Sequence, residues 1–279
     1  MLNHCKMIIT KGIMPGILSS IFLLLLFSSN LTAQDFEVAP VRVNFNISPG
    51  ETQSRNVTVK NHGNRKETIT LRMQDFLVNR EGNLEMLPSG STRNSIANWV
   101  SINPSLIELQ PDESRTVQIN LQAPNDDFTS KWGILSFLTT AEQTAFSADI
   151  DLQTGINLSG RIDIFLSYNP ANAEPGRIEI SNLQELENSS PESRTFSVNL
   201  DNLGERITTG KVFLIASNMN TAMEERFRTI EVTIYPQSSR IVELTMPNNL
   251  PPGKYSLAAI LDYPGSTSLK GTQIIIDVE

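Results

Sequence analysis

From residue 38 onward the sequence alternates between apolar and polar residues, and this period of two is its most constraining feature. No window of about eleven or more residues keeps the 3.6-residue period of an amphipathic helix. Proline, glycine, asparagine and aspartate bound the alternating runs, as is typical of turns between strands. Clear runs occupy residues 57–59, 69–71, 117–121, 196–200 and 230–234. The pattern predicts an all-β chain in which each strand buries one face, as a sandwich requires.

Residues 169–176 contain two prolines, one glycine and no large apolar residue, which is the composition of a linker. This segment divides the chain into a first domain at residues 35–170 and a second at residues 176–279, both near the ~100 residues of an immunoglobulin-like sandwich. A proline followed by an arginine and an alternating strand recurs twice in each domain. The recurrence is explained equally well by two domains of similar build or by convergent turn chemistry. The four pairs are Pro49 with Arg55, Pro111 with Arg115, Pro191 with Arg194 and Pro236 with Arg240.

Residues 252–260 predict the penultimate strand of the second domain, with a tyrosine near its start. In immunoglobulin-like sandwiches a tyrosine at this place bonds through its hydroxyl to the main chain a few residues upstream. Tyr255 is therefore the candidate for this corner.

The N-terminus has the pattern of a secretory signal peptide. Lys6 and Lys11 precede an apolar run at residues 21–27, which is shorter than the roughly 20 residues of a membrane-spanning helix. Cleavage after Ala33 would remove residues 1–33 and send the protein to the periplasm; an uncleaved signal anchor is the alternative. The chain has one cysteine, Cys5, within this segment, so the exported protein would fold by core burial without disulfides.

Composition excludes several classes of function. The first 33 residues hold two of the 22 basic residues and none of the 30 acidic ones, so the exported chain is strongly acidic and nucleic acid is not an expected partner. Its one histidine, His62, lies in a turn sequence, and the parts of nucleophilic triads and zinc sites are missing. We expect no catalysis, no metal or other cofactor, and no small-molecule substrate, although a hydrolase that uses carboxylates alone stays open.

Residues 150–168 form an unusually long alternating segment. Its polar face is interrupted only by Gly155 and Phe165. Strands usually run about five or six residues, so a single strand of this length would extend past its own domain and leave part of its apolar face unburied. Such an edge strand suits strand addition to another polypeptide, whereas a turn at Thr154 and Gly155 would instead make two shorter strands. The apolar face includes Ile156, Leu158, Ile162, Ile164 and Leu166.

These segments resemble the PapD-like periplasmic chaperones of pilus assembly. Residues 41–45 resemble the first strand of the family, residues 103–121 a later strand-turn-strand segment, and residues 156–166 the donor strand. The resemblance implies two immunoglobulin-like domains that cap exported subunits by donating a strand. It also implies that Arg42 binds the terminal carboxylate of a subunit in the cleft between the domains. Arg161 is the only basic residue on residues 160–166, the stretch on which the family carries its cleft lysine.

Two functions follow from these patterns. In the first, the protein is a periplasmic chaperone-like protein that binds exported pilus or surface subunits by β-strand addition, through Arg42, Arg161 and the apolar face of residues 156–166. In the second, it is a structural or adhesive cell-surface protein with two sandwich modules. The second function requires no exposed apolar strand, so coverage of that face within the monomer distinguishes them.

Overall fold

The computed structural model describes residues 36–140, 160–171, 174–187, 190 and 192–279. All the regular elements of these residues are β-strands, arranged as two sandwiches in tandem, so the predicted fold class is confirmed. The predicted signal peptide lies outside the described residues. Within the part of the chain that the structure describes, no helix is long and apolar enough to cross a membrane.

The first sandwich contains ten strands. They are β1 (Phe36–Ala39), β2 (Arg42–Phe45), β3 (Thr52–Asn61), β4 (Glu67–Val78), β5 (Leu84–Leu87), β6 (Val100–Asn103), β7 (Leu106–Leu109), β8 (Ser114–Gln122), β9 (Lys131–Thr140) and β10 (Arg161–Tyr168). One sheet has the order β1-β3-β8-β6. The other has the order β2-β10-β9-β4-β5, with β7 also paired to β4.

The core of this sandwich follows from the period of two. Val57 and Val59 of β3, Ile119 of β8 and Phe137 of β9 are fully buried, while the residues between them on β3 and β8 face solvent. The chain passes from one sheet to the other at Pro40, because β1 pairs with β3 and β2 pairs with β10. The second sheet therefore gains β2 as an edge strand parallel to β10.

The second sandwich contains eight strands. They are β11 (Ile178–Glu185), β12 (Ser193–Asn202), β13 (Thr208–Asn218), β14 (Glu224–Arg226), β15 (Ile230–Ile234), β16 (Ser238–Pro247), β17 (Gly253–Asp262) and β18 (Lys270–Val278). One sheet has the order β11-β12-β16. The other has the order β14-β13-β17-β18, with β15 also paired to β13.

The predicted tyrosine corner is present in the second sandwich. The Tyr255 hydroxyl, near the start of β17, donates a hydrogen bond to the carbonyl of Pro251 at 2.9 Å. The ring is buried in the core. Tyr255 therefore closes the turn that enters the penultimate strand, and this prediction is confirmed.

The long alternating segment is described only in part. Its last eight residues form β10, which pairs antiparallel with β9 along its whole length. Ile156 and Leu158 lie outside the described residues, as do Thr154 and Gly155. The choice between one long strand and a hairpin stays a prediction.

Candidate functional site

Aromatic side chains join the two sandwiches. Tyr235, which follows β15, packs against Phe76 of β4 with ring centroids 5.5 Å apart and against Trp132 of β9 at 4.9 Å. Ile207 of the second sandwich is half-buried against the same cluster. Burial of this apolar surface favours docking of the two sandwiches in one arrangement.

Polar contacts at the linker fix the same arrangement. The backbone N–H of Ile207 donates to Ser130 Oγ at 3.0 Å, and Ser130 Oγ itself donates to Asn169 Oδ1. Asn169 Nδ2 returns a bond to the Ile207 carbonyl at 3.3 Å. Arg93 and Glu205 form an ion pair at 2.8 Å beside this group. Asn169 is the first residue of the predicted linker, and these bonds hold it to both sandwiches.

A hairpin of the first sandwich makes a third contact. Between β4 and β5, the Arg80 carbonyl accepts a hydrogen bond from the Ile241 N–H of β16 at 2.7 Å. The Arg240 guanidinium lies directly against Gly82 at the tip, where a Cβ would come within 2.2 Å of Nη1. Gly82 has φ of +95°, a conformation that glycine adopts without strain. The hairpin therefore caps the edge strand of the second sandwich.

A cleft lies between the sandwiches beside these contacts. Its volume is about 550 Å³, and the first sandwich supplies one wall from β2 and β10 while the second supplies the other from β13 and β15. Arg42 and Glu231 are the two charged residues of the lining, on opposite walls. The other lining residues are Asn44, Asn46, Phe165, Leu166, Ser167, Asn169, Ile207, Thr209, Thr233 and Tyr235.

Arg42 is an exposed residue on β2 that lines this cleft. Its Cζ lies 5.1 Å from the ring centroid of Phe165, the residue opposite it on β10, which is a cation–π contact. No carboxylate among the described residues forms an ion pair with Arg42. Burial raises the pKa of Tyr235, and the positive charges of Arg42 and Arg240 oppose that rise. Arg42 therefore presents an oriented positive charge that a carboxylate entering the cleft could meet.

Arg161 lies elsewhere on the same sheet face. It pairs with Asp163 at 2.8 Å and donates to Gln74 Oε1 at 2.7 Å and to Ser136 Oγ at 3.2 Å. Four residues separate it from Phe165 along β10, or roughly 13 Å at 3.3 Å per residue. The structure therefore does not bring Arg161 beside Arg42 in the cleft.

The apolar positions of β10 face the core of their own domain. Ile164 and Leu166 are fully buried between the two sheets, and Ile162 is half-buried against the same core. The expectation of an unburied apolar face is therefore wrong at Ile164 and Leu166, because the sheet of β3 and β8 covers them. Contact of these two side chains with a client would require the sandwich to open.

β2 covers only part of one edge of β10. β2 pairs only with residues 165–168, and the Phe165 N–H donates to the Val41 carbonyl at 3.0 Å. Alternate residues of a strand direct their backbone groups to the same side, so the backbone groups of Asp163 point to this side too. No described strand pairs with them there. Among the described residues, the N–H of Asp163 is thus a donor on this edge that β2 does not reach.

Sequence reasoning missed the second wall of the cleft. Glu231, Thr233 and Tyr235 belong to a strand that reads as an ordinary sandwich strand, and nothing local marks them. One signal was present in the first wall: Phe165 interrupts the polar face of the alternating segment, and in the structure it lies beneath Arg42. Within the described ranges, no group of three histidine, cysteine or acidic residues could hold a metal ion.

Comparisons with known proteins give a structural likeness. No family model matches the sequence, and no curated protein does. The Class 5 fimbriae chaperone CfaA superposes with a TM-score of 0.46 at 12% identity, covering 86% of this chain and 98% of that one. The YadV chaperone gives 0.42 at 16% identity over 86% and 100%, and the E. coli chaperone DraB gives 0.42 at 14% over 86% and 98%. In structure, the chain is similar to PapD-like fimbrial chaperones over most of its length.

Proposed function

We propose that the protein is a periplasmic chaperone-like protein that binds exported pilus or surface subunits by β-strand addition. The observation that carries the proposal is the position of Arg42, which lines a cleft between two sandwiches and pairs with no described carboxylate. The planar guanidinium matches the two oxygens of a carboxylate. The partner's terminal carboxylate would bind Arg42, and its adjoining segment would pair with the edge of β10 at Asp163. The proposal assigns no catalytic step and no cofactor.

The test of the cleft is capture of a partner from the exported fraction of the producing cells. The tagged parent, Arg42→Ala and the control Arg55→Ala would be used in parallel, since Arg55 is an exposed arginine on β3 of the other sheet. We expect at least one exported protein to remain with the parent and the control and to be lost with Arg42→Ala. Equal recovery by all three would contradict a role for the cleft.

The test of strand addition uses the backbone at Asp163. Proline has no N–H, so Asp163→Pro removes a donor from this edge while leaving the side of β10 that pairs with β9 intact. Asp163→Ala is the matched control, because it removes the same carboxylate from Arg161 and keeps the N–H. We expect the proline variant to lose the captured partner and the alanine variant to keep it. If both variants keep the partner, binding does not use this edge.

The burial of Ile164 and Leu166 favours a second candidate, a structural or adhesive surface protein with two sandwich modules. Such a protein needs no exposed apolar strand. It predicts that no exported protein depends on Arg42 for capture, so the same experiment separates the two functions.

A further inference from the structure

The outer face of the sheet β1-β3-β8-β6 is uncharged over most of its area. Val57 and Val59 of β3 and Ile119 of β8 are core residues, so the even-numbered residues of both strands point away from the core. On β3 the outward residues from the strand start are Thr52, Ser54, Asn56 and Thr58, and a charged residue first occurs at Lys60.

The neighbouring strands continue the same chemistry. The register places Thr116, Gln118, Asn120 and Gln122 of β8 directly beside the four residues of β3. On the other side of β8, Ser101 and Asn103 of β6 lie beside Asn120 and Gln118. Ten adjacent outward positions on three strands are thus hydroxyl or amide side chains, with no charge and no large apolar group.

The second sandwich shows that the fold does not require this surface. Its corresponding sheet, β11-β12-β16, presents Glu179 beside Asp201 and carries Glu243 on the edge strand. A sheet of the same construction in the same chain thus carries acidic residues. The uncharged face is a property of the first sandwich.

A cavity of about 470 Å³ adjoins the end of this face. Thr52, Ser101, Asn120 and Gln122 belong both to its lining and to the face, and no charged residue lines it. Trp99, the half-buried residue before β6, lines the same wall, and its ring lies 5.4 Å from the ring of Tyr168 and 5.0 Å from Lys131 Nζ. The face and the cavity form one continuous surface.

We infer that this surface binds an uncharged polysaccharide. Nucleic acids and acidic glycans need cationic side chains, and protein partners bind at patches with an apolar centre; the face has neither. Amides and hydroxyls both donate and accept hydrogen bonds, which matches the hydroxyl groups of a neutral sugar chain. The inference is independent of the cleft and of Arg42.

Native gel electrophoresis with polysaccharide in the gel tests the inference on the full exported chain. The probes are dextran, a soluble β-glucan and mannan, with polygalacturonate as the charged comparison. We expect the parent to be retarded in at least one neutral gel and not by polygalacturonate. The double variant Asn56→Ala with Gln118→Ala removes two amides from the middle of the face, and we expect about tenfold weaker binding, equivalent to two hydrogen bonds.

The matched control is Asn199→Ala with Thr245→Ala on the corresponding sheet of the second sandwich, which we expect to bind as the parent does. Absence of retardation in all three neutral gels would overturn the inference. Equal loss in the control variant would overturn it as well. Sedimentation that reveals a dimer dependent on Asn56 and Gln118 would identify the face as a contact between copies and overturn it too.

Discussion

The two sandwiches share the same turn residues at corresponding places and differ in what the arginines after those turns contact. In each sandwich a buried asparagine ends a strand, and its side chain accepts a hydrogen bond from the N–H of a glycine two residues later. The pairs are Asn61 and Gly63 after β3 and Asn202 and Gly204 after β12. In each, a proline precedes a residue with positive φ, at Asp112 with 59° and Gln237 with 54°. These matches support two domains of similar build over chance recurrence of turn residues.

The arginine that follows each of these turns shows the difference. Arg115 is exposed and pairs with Glu113 at 2.9 Å within its own turn. Arg240 occupies the same place in the second sandwich, but it packs against Gly82 of the first. Arg115 thus contacts its own turn, whereas Arg240 is part of the contact between the sandwiches that forms the cleft.

The largest expected effect on the free energy of unfolding is at Ile164, and it distinguishes a core role of β10 from a client-binding role. Ile164→Asp places a carboxylate in a fully buried site, and we expect a loss of at least about 4 kcal/mol in the free energy of unfolding. Ile275→Asp on β18 is the control, because that side chain is 62% exposed and its replacement should cost less than about 0.5 kcal/mol. Urea denaturation followed by circular dichroism measures both. A stable Ile164→Asp protein would place this strand outside the core.

Replacement of the two buried asparagines tests whether the sandwiches share the same stabilising contacts. The Asn61 amide donates to the carbonyls of Arg65, Leu109 and Gln110, and the Asn202 amide donates to those of Arg206 and Ile234. Each replacement by alanine leaves buried carbonyls without a donor, so we expect losses of roughly 2 to 3 kcal/mol, larger at Asn61. Chemical denaturation of the two variants checks the order. A negligible effect at either site would break the correspondence between the sandwiches.

The two arginines test the difference. Arg240→Ala removes packing against the hairpin and should lower the free energy of unfolding by about 1 kcal/mol. Arg115→Ala removes an exposed ion pair and should cost less than about 0.5 kcal/mol. Hydrogen exchange at the amide of Ile241 should accelerate only in the Arg240 variant. Equal behaviour of the two variants would mean that Arg240 does not hold the sandwiches together.

The turns that enter β9 and β17 should differ in their response to pH. In the turn before β9, Lys131 forms an ion pair with Asp127 at 2.8 Å. In the turn before β17, the Tyr255 hydroxyl donates to the Pro251 carbonyl. Burial raises the pKa of Asp127, but hydrogen bonds from Lys131 and Thr129 outweigh it and leave the pKa below its ordinary value of 3.8. A lowered folded pKa contributes stability above the ordinary value that is lost as the pH falls through the folded value.

We therefore expect Asp127→Asn to cost less than about 1 kcal/mol near neutral pH and to match the parent in strong acid. Tyr255→Phe should cost about 1 kcal/mol at every pH in this range, because it removes a hydrogen bond to a backbone carbonyl and breaks no ion pair. Thermal melts of both variants from pH 7 to pH 2 measure the contrast. A penalty for Asp127→Asn that persists in acid would contradict the role of the ion pair.

Much of the fold could be predicted because a period of two is a local property of strands. Tyr255 could be placed because its corner depends on a turn only four residues long. Alternation shows which residues share a face but not what covers it, so Ile164 and Leu166 could not be distinguished from exposed residues. The wall that carries Glu231 and Tyr235 forms only when the sandwiches dock, through contacts between residues far apart in the sequence. Arg42 could be assigned to a cleft only through its resemblance to a family position.

The most direct test of the central claim is a titration of the captured partner's C-terminal peptide onto the protein. The peptide would be prepared as the free acid and as the C-terminal amide, and calorimetry would compare the parent, Arg42→Ala and Arg42→Lys. A charge-assisted pair shielded from water contributes roughly 1.5 to 3 kcal/mol, so we expect the free acid to bind about tenfold to a hundredfold more tightly than the amide in the parent. This preference should vanish in Arg42→Ala and return only partly in Arg42→Lys, because lysine keeps the charge but cannot bind both carboxylate oxygens as the planar guanidinium does. Equal binding of acid and amide by the parent, or an unchanged preference in Arg42→Ala, would contradict carboxylate capture in the cleft.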